Sequence, residues 1–313
     1  MVEAALVSSE PVNAEFQIPE SIMGAAQMLE ELAVQFDIID KNTDLSQYKL
    51  ILLPDDLVVC KDMQKRIDEY VASGGAVIAC AEGGSNPDGE YPACFGAFSG
   101  GINECYPDFI IAEGPLAKNL EQGNEYVIYL QGLKIKPYGN GGSKTILEAR
   151  APYFPRKGDM FCSHRYTPSA KGFAYPAAVQ NGKVILFAHR LFEQYRKCAP
   201  LWCKQLISGA IDLLLPDKMI RHTGPSTMTV TVLDQPEQSR VTVHALSYIP
   251  VKKSATIDII EEPTVLHNVE FKINLPEKQI KAARLVPEDI SLELKNNTVT
   301  IPEINGYSII ELT

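Results

Sequence analysis

Three residues of this sequence could together attack a carbonyl: Cys80, His189 and Glu82. Cys80 closes the apolar run Ala76 to Cys80, and His189 closes the run Lys183 to His189. A thiol and an imidazole at the ends of two parallel strands reach the same sheet edge, the edge where open α/β sheets bind ligands. Cysteine chemistry requires such a base, because the thiolate is the attacking species. A helix starting directly after Cys80 would lower its pKa and supply oxyanion donors. The chain instead continues Ala81-Glu-Gly-Gly-Ser-Asn-Pro-Asp-Gly89, which is loop chemistry, whereas a nucleophile elbow needs a strand-to-helix turn. The expectation is therefore a buried structural thiol at Cys80 and a locally hydrogen-bonded histidine at His189. The reactive pair is the alternative.

Asp55 and Asp56 follow the strand Leu50 to Leu53, and Glu82 follows Cys80. Three carboxylates near one sheet edge could form an acid/base pair or bind a hard cation. A loop that caps the next helix accounts for the aspartates equally well. No fourth oxygen ligand stands at motif spacing, so no metal is expected. Of the remaining histidines, His164 alone lies in the first part of the chain; His222, His244 and His267 come later, with His244 inside a strand and structural. Arg156, Lys157, Arg165 and Arg190 lie near loops and read as surface charge, with anion binding as the rival. Tyr91, Tyr106, Tyr138, Tyr153 and Tyr166 could be sugar platforms on loops, although tyrosine often only covers a core. There is no G-x-G-x-x-G after the first strand, no phosphate-binding G-x-x-x-x-G-K-[ST], no H-E-x-x-H and no C-x-x-C. No cofactor is expected.

The elements that must position these residues alternate. Val2 to Val7 reads as a buried strand, and Pro19 opens a helix whose apolar face runs from Ile22 to Phe36. Strands follow at Asp37 to Asp40 and Leu50 to Leu53, the second continuously apolar as in a sheet covered on both faces. A helix from about Asp62 to Ala72 ends at Gly74-Gly75, before the Cys80 strand. This β-α-β-α-β order predicts a doubly wound parallel sheet. Residues 82–124 read as long loops with short elements. Glu125 to Gln131 is a strand, turned at Gly139-Asn-Gly-Gly142 so that Thr145 to Arg150 becomes its partner. Residues 151–181 read as irregular, and Cys198 to Leu215 as a helix. Beyond about residue 220 short alternating runs predict eight strands of an antiparallel β-sandwich over 221–313, after an α/β domain over 1–220.

The 313 residues suit two domains, and the net charge of −10 leaves nothing to neutralise phosphates or anionic lipid. Neither nucleic acid nor membrane is an expected partner. Seven cysteines, an odd number without metal spacing, read as free thiols in a reducing, cytoplasmic setting. The start MVEAALVSSEPVN lacks a basic n-region and a long apolar stretch, so it reads as a strand rather than a signal peptide.

The stretch YKLILLPDDLVVCKDMQKRIDEYVASGGAVIACAEGG, Tyr48 to Gly84, is similar to the trimerisation domain of family-42 β-galactosidases. That domain runs aliphatic strand, Pro, helix with a Tyr-Val and Gly-Gly ending, aliphatic strand, Gly loop. YPACFGAF resembles a later segment of it. GKVILFAHRLFEQYRKCAPLWCKQLISGAIDLLLP and RVTVHALSYIP resemble the C-terminal part of fucosidase-like glycoside hydrolases. The resemblance covers most of the chain. It implies a flavodoxin-like, class I amidotransferase-like domain followed by a small β-sandwich, both trailing a catalytic (β/α)8 barrel. A barrel of about 250 residues does not fit beside two domains here. The resemblance further implies that the amidotransferase-like domain lacks a working Cys–His–Glu set and serves assembly, so no catalytic residue is carried over. Its partners would be the barrel and other copies of the chain. Two rivals stand beside this reading: a stand-alone Cys-dependent amidotransferase-like hydrolase using Cys80, and a carbohydrate-binding module.

Overall fold

The structure is a computed structural model that describes residues 1–8, 18–139, 142–154 and 167–313. The chain divides into two compact units. One comprises Ala4–Met28 and Asp37–Pro216; the other comprises Met1–Glu3, Leu29–Phe36 and Asp217–Thr313.

The first unit contains, in chain order, β1 (Ala4–Val7), α1 (Glu20–Glu31, its last turn counted with the second unit), β2 (Phe36–Ile39), β3 (Leu50–Leu53), α2 (Lys61–Ala72), β4 (Ala76–Cys80), β5 (Ala97–Ile102), β6 (Asp108–Ile111), β7 (Glu125–Ile128), β8 (Leu133–Pro137), β9 (Lys144–Pro152), β10 (Ser169–Asn181), β11 (Val184–Phe187), α3 (Leu191–Cys198) and α4 (Leu201–Leu214). Nine of its strands form one sheet in the order β2-β1-β3-β4-β11-β10-β9-β6-β7. The pairs β1–β3, β3–β4 and β4–β11 are parallel. From β11 outward through β10, β9, β6 and β7 every pair is antiparallel. The sheet is thus mixed: a parallel part carries an antiparallel extension.

The parallel strands are buried along their whole length because both faces are covered. On one face Ala5, Val7, Ile51, Leu53, Val77, Ala79, Val184 and Leu186 share a core with Met63, Ile67 and Tyr70 of α2. These three helix residues recur at the spacing of one helical face. In the same unit, α1 and α3 meet backbone to backbone at Gly24, where a Cβ would come within 2.0 Å of the Phe192 carbonyl oxygen.

The structure departs from the sequence expectations at several points. The stretch 151–181 reads as irregular, yet β10 is thirteen residues long. Pro176 argues against a strand because it cannot donate to a ladder, and a register shift between Pro176 and Ala178 accommodates it. The segment Glu125 to Gln131 does not pair with Thr145 to Arg150: β7 pairs with β6, and β9 lies between β6 and β10. Asn140 and Gly141 of the expected turn lie outside the described residues. Residues 82–124 do hold short elements among loops, as expected, namely β5 and β6; the pairing of β5 with β8 as a separate two-stranded ribbon lies outside the sequence expectations. The helix expected from Cys198 begins at Leu201, because Cys198 ends the separate helix α3.

The second unit holds β12 (Ile220–His222), β13 (Met228–Gln235), β14 (Arg240–Ser247), β15 (Val251–Lys252), β16 (Asp258–Ile259), β17 (Val265–Ile273), β18 (Ala283–Val286), β19 (Ile290–Leu292), β20 (Leu294–Lys295), β21 (Thr298–Asn305) and β22 (Tyr307–Leu312). They form a four-stranded sheet, β12-β17-β21-β20, a five-stranded sheet, β13-β14-β22-β18-β19, and the small pair β15-β16. Alternate residues point inward, so Val230, Val232, Val243 and Ile310 of one sheet share a core with Phe271, Ile273, Val299 and Ile301 of the other. Gln35 belongs to this unit for a physical reason: its amide donates to the Val230 carbonyl at 3.0 Å and accepts from the Val232 N–H at 2.8 Å. It thereby satisfies the open edge of β13.

Candidate functional site

The last residue of β4 and the loops after β3, β4 and β11 carry every residue of the expected Cys–His–Glu set and the two aspartates. Cys80 is fully buried. Ala81 follows it in a left-handed conformation, φ 47°, which an alanine adopts only when its surroundings hold it there. Three bonds do so: the Ala81 N–H donates to the Phe187 carbonyl, the Glu82 N–H to the Asp55 carbonyl, and the Tyr91 hydroxyl to the Ala81 carbonyl at 2.6 Å. The loop continues as turns, in which the Asn86 side-chain oxygen accepts the N–H groups of Asp88 and Glu90. No helix opens on Cys80.

Asp55 is also fully buried. Its two oxygens accept the N–H groups of Phe192 at 3.4 Å and Glu193 at 2.7 Å, in the first turn of α3. The residue preceding that helix, Arg190, provides no side-chain cap, so the remote carboxyl takes the orphan donors. Burial pushes the Asp55 carboxyl up to about 8, against the pull of those N–H groups and of Arg190. Cys80 is pushed well above the ordinary thiol range, first by burial and then by Asp55 and Cys203. A thiol so placed stays protonated at neutral pH and is a poor nucleophile.

His189, 1% exposed, makes a different set of contacts. Its Nε2 lies 2.8 Å from Asp108 Oδ2, and that oxygen also accepts the Tyr175 hydroxyl at 2.7 Å and the Asn103 amide at 3.3 Å. Burial, then Asp108, drives the Tyr175 hydroxyl far up, so it remains a donor. The network ties the end of β11 to the start of β6 and to β10. Glu82 is held by Arg190, whose Nη2 reaches both carboxylate oxygens at 2.8 and 2.7 Å. Asp56 accepts the Ser21 hydroxyl at 2.5 Å. Cys80, His189 and Glu82 thus have three separate sets of partners, and the carboxylates Asp55, Asp56 and Glu82 have three separate tasks. Among the described residues no three His, Cys, Asp or Glu side chains converge as metal ligands.

Two surface cavities, of about 390 and 300 Å³, are lined by Ile111, Lys144 and Glu148 in one case and by Arg240, Lys278 and Thr313 in the other. Neither is lined by Cys80, His189 or Glu82. Of the tyrosines, Tyr91 is buried and stacked on Phe95, while Tyr106, Tyr138 and Tyr153 are exposed. His244 bonds Thr242 and Tyr307 within its own sheet. Tyr166, Arg156, Lys157, Arg165 and His164 lie outside the described residues. Asp108 and Tyr175 escape a sequence reading because an Asp at a strand start and a Tyr before a Pro carry no signal of their own.

The segment from β1 to β5 has counterparts. Residues 6–105 match the β-galactosidase trimerisation domain. The match takes in the loops of Asp55, Cys80 and Glu82, whereas Asp108, Tyr175, His189 and Arg190 lie beyond it. The solved structure of α-L-fucosidase isoenzyme 2 from Paenibacillus thiaminolyticus is similar over 100% of this chain and 48% of that chain, with 27% identity and a TM-score of 0.90. The β-galactosidase from Bacillus circulans sp. alkalophilus is similar over 100% of this chain and 41% of that chain, with 13% identity and a TM-score of 0.60. The catalytic mutant E323A of Gan42B, a GH42 β-galactosidase from G. stearothermophilus, is similar over 100% and 40%, with 15% identity and a TM-score of 0.59. The two β-galactosidase likenesses show the fold alone. The chain spans about half the length of the fucosidase and less of the others. A comparison with curated proteins finds no match. No described helix is long and apolar enough to cross a membrane.

Proposed function

We propose that this chain is the non-catalytic assembly region of a glycoside hydrolase, working beside a catalytic (β/α)8 barrel and in contact with other copies of itself. The trimerisation-domain match over residues 6–105 carries the reading. The buried, protonated Cys80 and its separation from the partners of His189 support it. On the same reading the first five strands of the sheet order, β2-β1-β3-β4-β11, are the flavodoxin-like, amidotransferase-like core. The two antiparallel sheets form the β-sandwich, and the domains run 1–220 and 221–313. The six described cysteines are free thiols, which suits a cytoplasmic enzyme. Of the two activities named among the similar structures, we favour α-fucoside hydrolysis for the whole enzyme, because the likeness there has 27% identity against 13% and 15%.

Sedimentation velocity on the purified chain tests the assembly role. Association at micromolar concentration is the expected result, and a strict monomer counts against it. Assays on aryl glycosides, esters and amides test the non-catalytic role, with no turnover expected. Turnover abolished by Cys80→Ala would instead establish the Cys-dependent hydrolase.

A further inference from the structure

The β5–β8 ribbon has one buried face and one open face, and the open face carries an unbalanced charge. The sequence Leu133-Lys-Ile-Lys-Pro137 alternates at strand period, so Leu133 and Ile135 turn inward while Lys134 and Lys136 stand in solvent. Ala97 and Ile135 belong to the core that Phe95, Val179 and Leu186 share, which fixes the ribbon to its own unit. Register sets the opposite face. Phe98 lies across from Lys136, and a Cβ on Gly100 would stand 3.0 Å from the Lys134 Cβ, so Gly100 faces Lys134. The Tyr138 N–H donates to the Gly96 carbonyl at 2.9 Å, and the Tyr138 ring packs on Phe98 with centroids 4.2 Å apart. Phe98 is nevertheless 57% exposed. The open face is thus an aromatic pair beside two lysine heads, held in place by an ordered backbone.

Charge and position name the occupant. Neither β5 nor β8 contains an Asp or Glu. Among the described residues Lys134 and Lys136 form no ion pair with a carboxylate. Both charges are therefore free for a partner, and an acidic surface complements them. This chain is itself acidic, with a net charge of −10, so another copy of it offers such a surface. Position agrees: β5 falls inside residues 6–105, the part similar to a trimerisation domain, so the ribbon is continuous with the segment that carries the assembly reading. We propose that the open face of the β5–β8 ribbon, through Phe98, Lys134, Lys136 and Tyr138, docks on an acidic surface of a second copy of this chain. The proposal rests on the assembly reading and deepens it by naming the surface.

The test uses the purified full chain. Carbodiimide couples an amine directly to a carboxylate, so it reads contact without a spacer. On a mixture of isotopically heavy and light wild-type chains it should link Lys134 or Lys136 of one copy to an Asp or Glu of another. The double variant Lys134→Glu, Lys136→Glu places like charges face to face, and sedimentation should show self-association weakened roughly tenfold or more. The control, Lys272→Glu with Lys295→Glu, alters two exposed lysines of β17 and β20 and changes the net charge equally. It should not weaken association comparably. All four lysines are exposed, so far-UV circular dichroism should be unchanged in both variants. Raising salt from about 50 mM to about 500 mM should weaken wild-type association. If the wild type associates but the Lys134, Lys136 variant associates equally tightly, or neither lysine couples to another copy, the ribbon proposal is overturned and the assembly reading survives. If the wild type is a monomer at about 100 μM, both fall.

Discussion

Asp55 has no solvent contact and holds the first turn of α3, and this combination makes the fold sensitive to pH at this residue. Its folded-state value of about 8 is raised above the ordinary 3.8. Between those values the unfolded chain releases the proton that the folded chain keeps. Stability therefore falls as pH rises through this window, by up to about 1.4 kcal/mol per pH unit. Asp55→Asn keeps an oxygen for the two N–H groups and removes the titration. Its melting temperature should fall less than the wild type's between pH 5 and pH 8, two conditions at which thermal denaturation would be compared. Asp55→Ala should instead cost about 1–2 kcal/mol through the lost cap. His222 works in the opposite sense. Burial lowers it to about 4, so the fold keeps it neutral, and stability is lost as pH falls from 6.5 to 4. That loss amounts to roughly 3 kcal/mol, and His222→Gln should flatten the acid limb of a stability–pH curve measured by urea unfolding. For thiols, burial predicts an order of alkylation under native conditions: the exposed Cys60 and Cys198 first, Cys80 and Cys203 only on unfolding. Mass spectrometry after timed iodoacetamide exposure reads this directly.

At the scale of elements, close approach is the controlling quantity. Gly24 lets α1 lie against the α3 backbone, and any Cβ there meets a carbonyl oxygen that cannot rotate away. Gly24→Ala should lower stability by about 1–3 kcal/mol, seen as a lower denaturation midpoint with an unchanged slope. α3 also shows why part of the candidate site is illegible in the sequence. It has only eight residues, too few for a clear periodic signal, and its cap is supplied by Asp55, 137 positions from Phe192. Spacing alone assigns Asp55 to the next helix in the chain, α2, whereas folding delivers it to α3. β10 is hidden by Gly172 and Pro176, two residues that argue against strands locally and that a bulge and a register shift accommodate in the sheet. By contrast β3 and β4 are visible at once, since an unbroken apolar run such as Leu50 to Leu53 has few other ways to be buried.

For the whole molecule, the assembly role predicts that self-association, rather than turnover, is the measurable property of this chain. Sedimentation should detect it, and Cys80→Ala should leave it unchanged. Local sequence was sufficient for the alternation of apolar strands and helices up to Cys80, the switch to short alternating strands after about residue 220, and the loop that denies Cys80 a helix. Each of these is a nearest-neighbour property: period, run length and turn chemistry. Only the tertiary structure decided that Asp55 serves α3, that His189 answers to Asp108 and Tyr175, and that Gln35 belongs with β13. These are pairings between residues distant in the chain. They arise because a buried donor or acceptor must find a partner wherever folding brings one within reach, and sequence spacing carries no record of that distance.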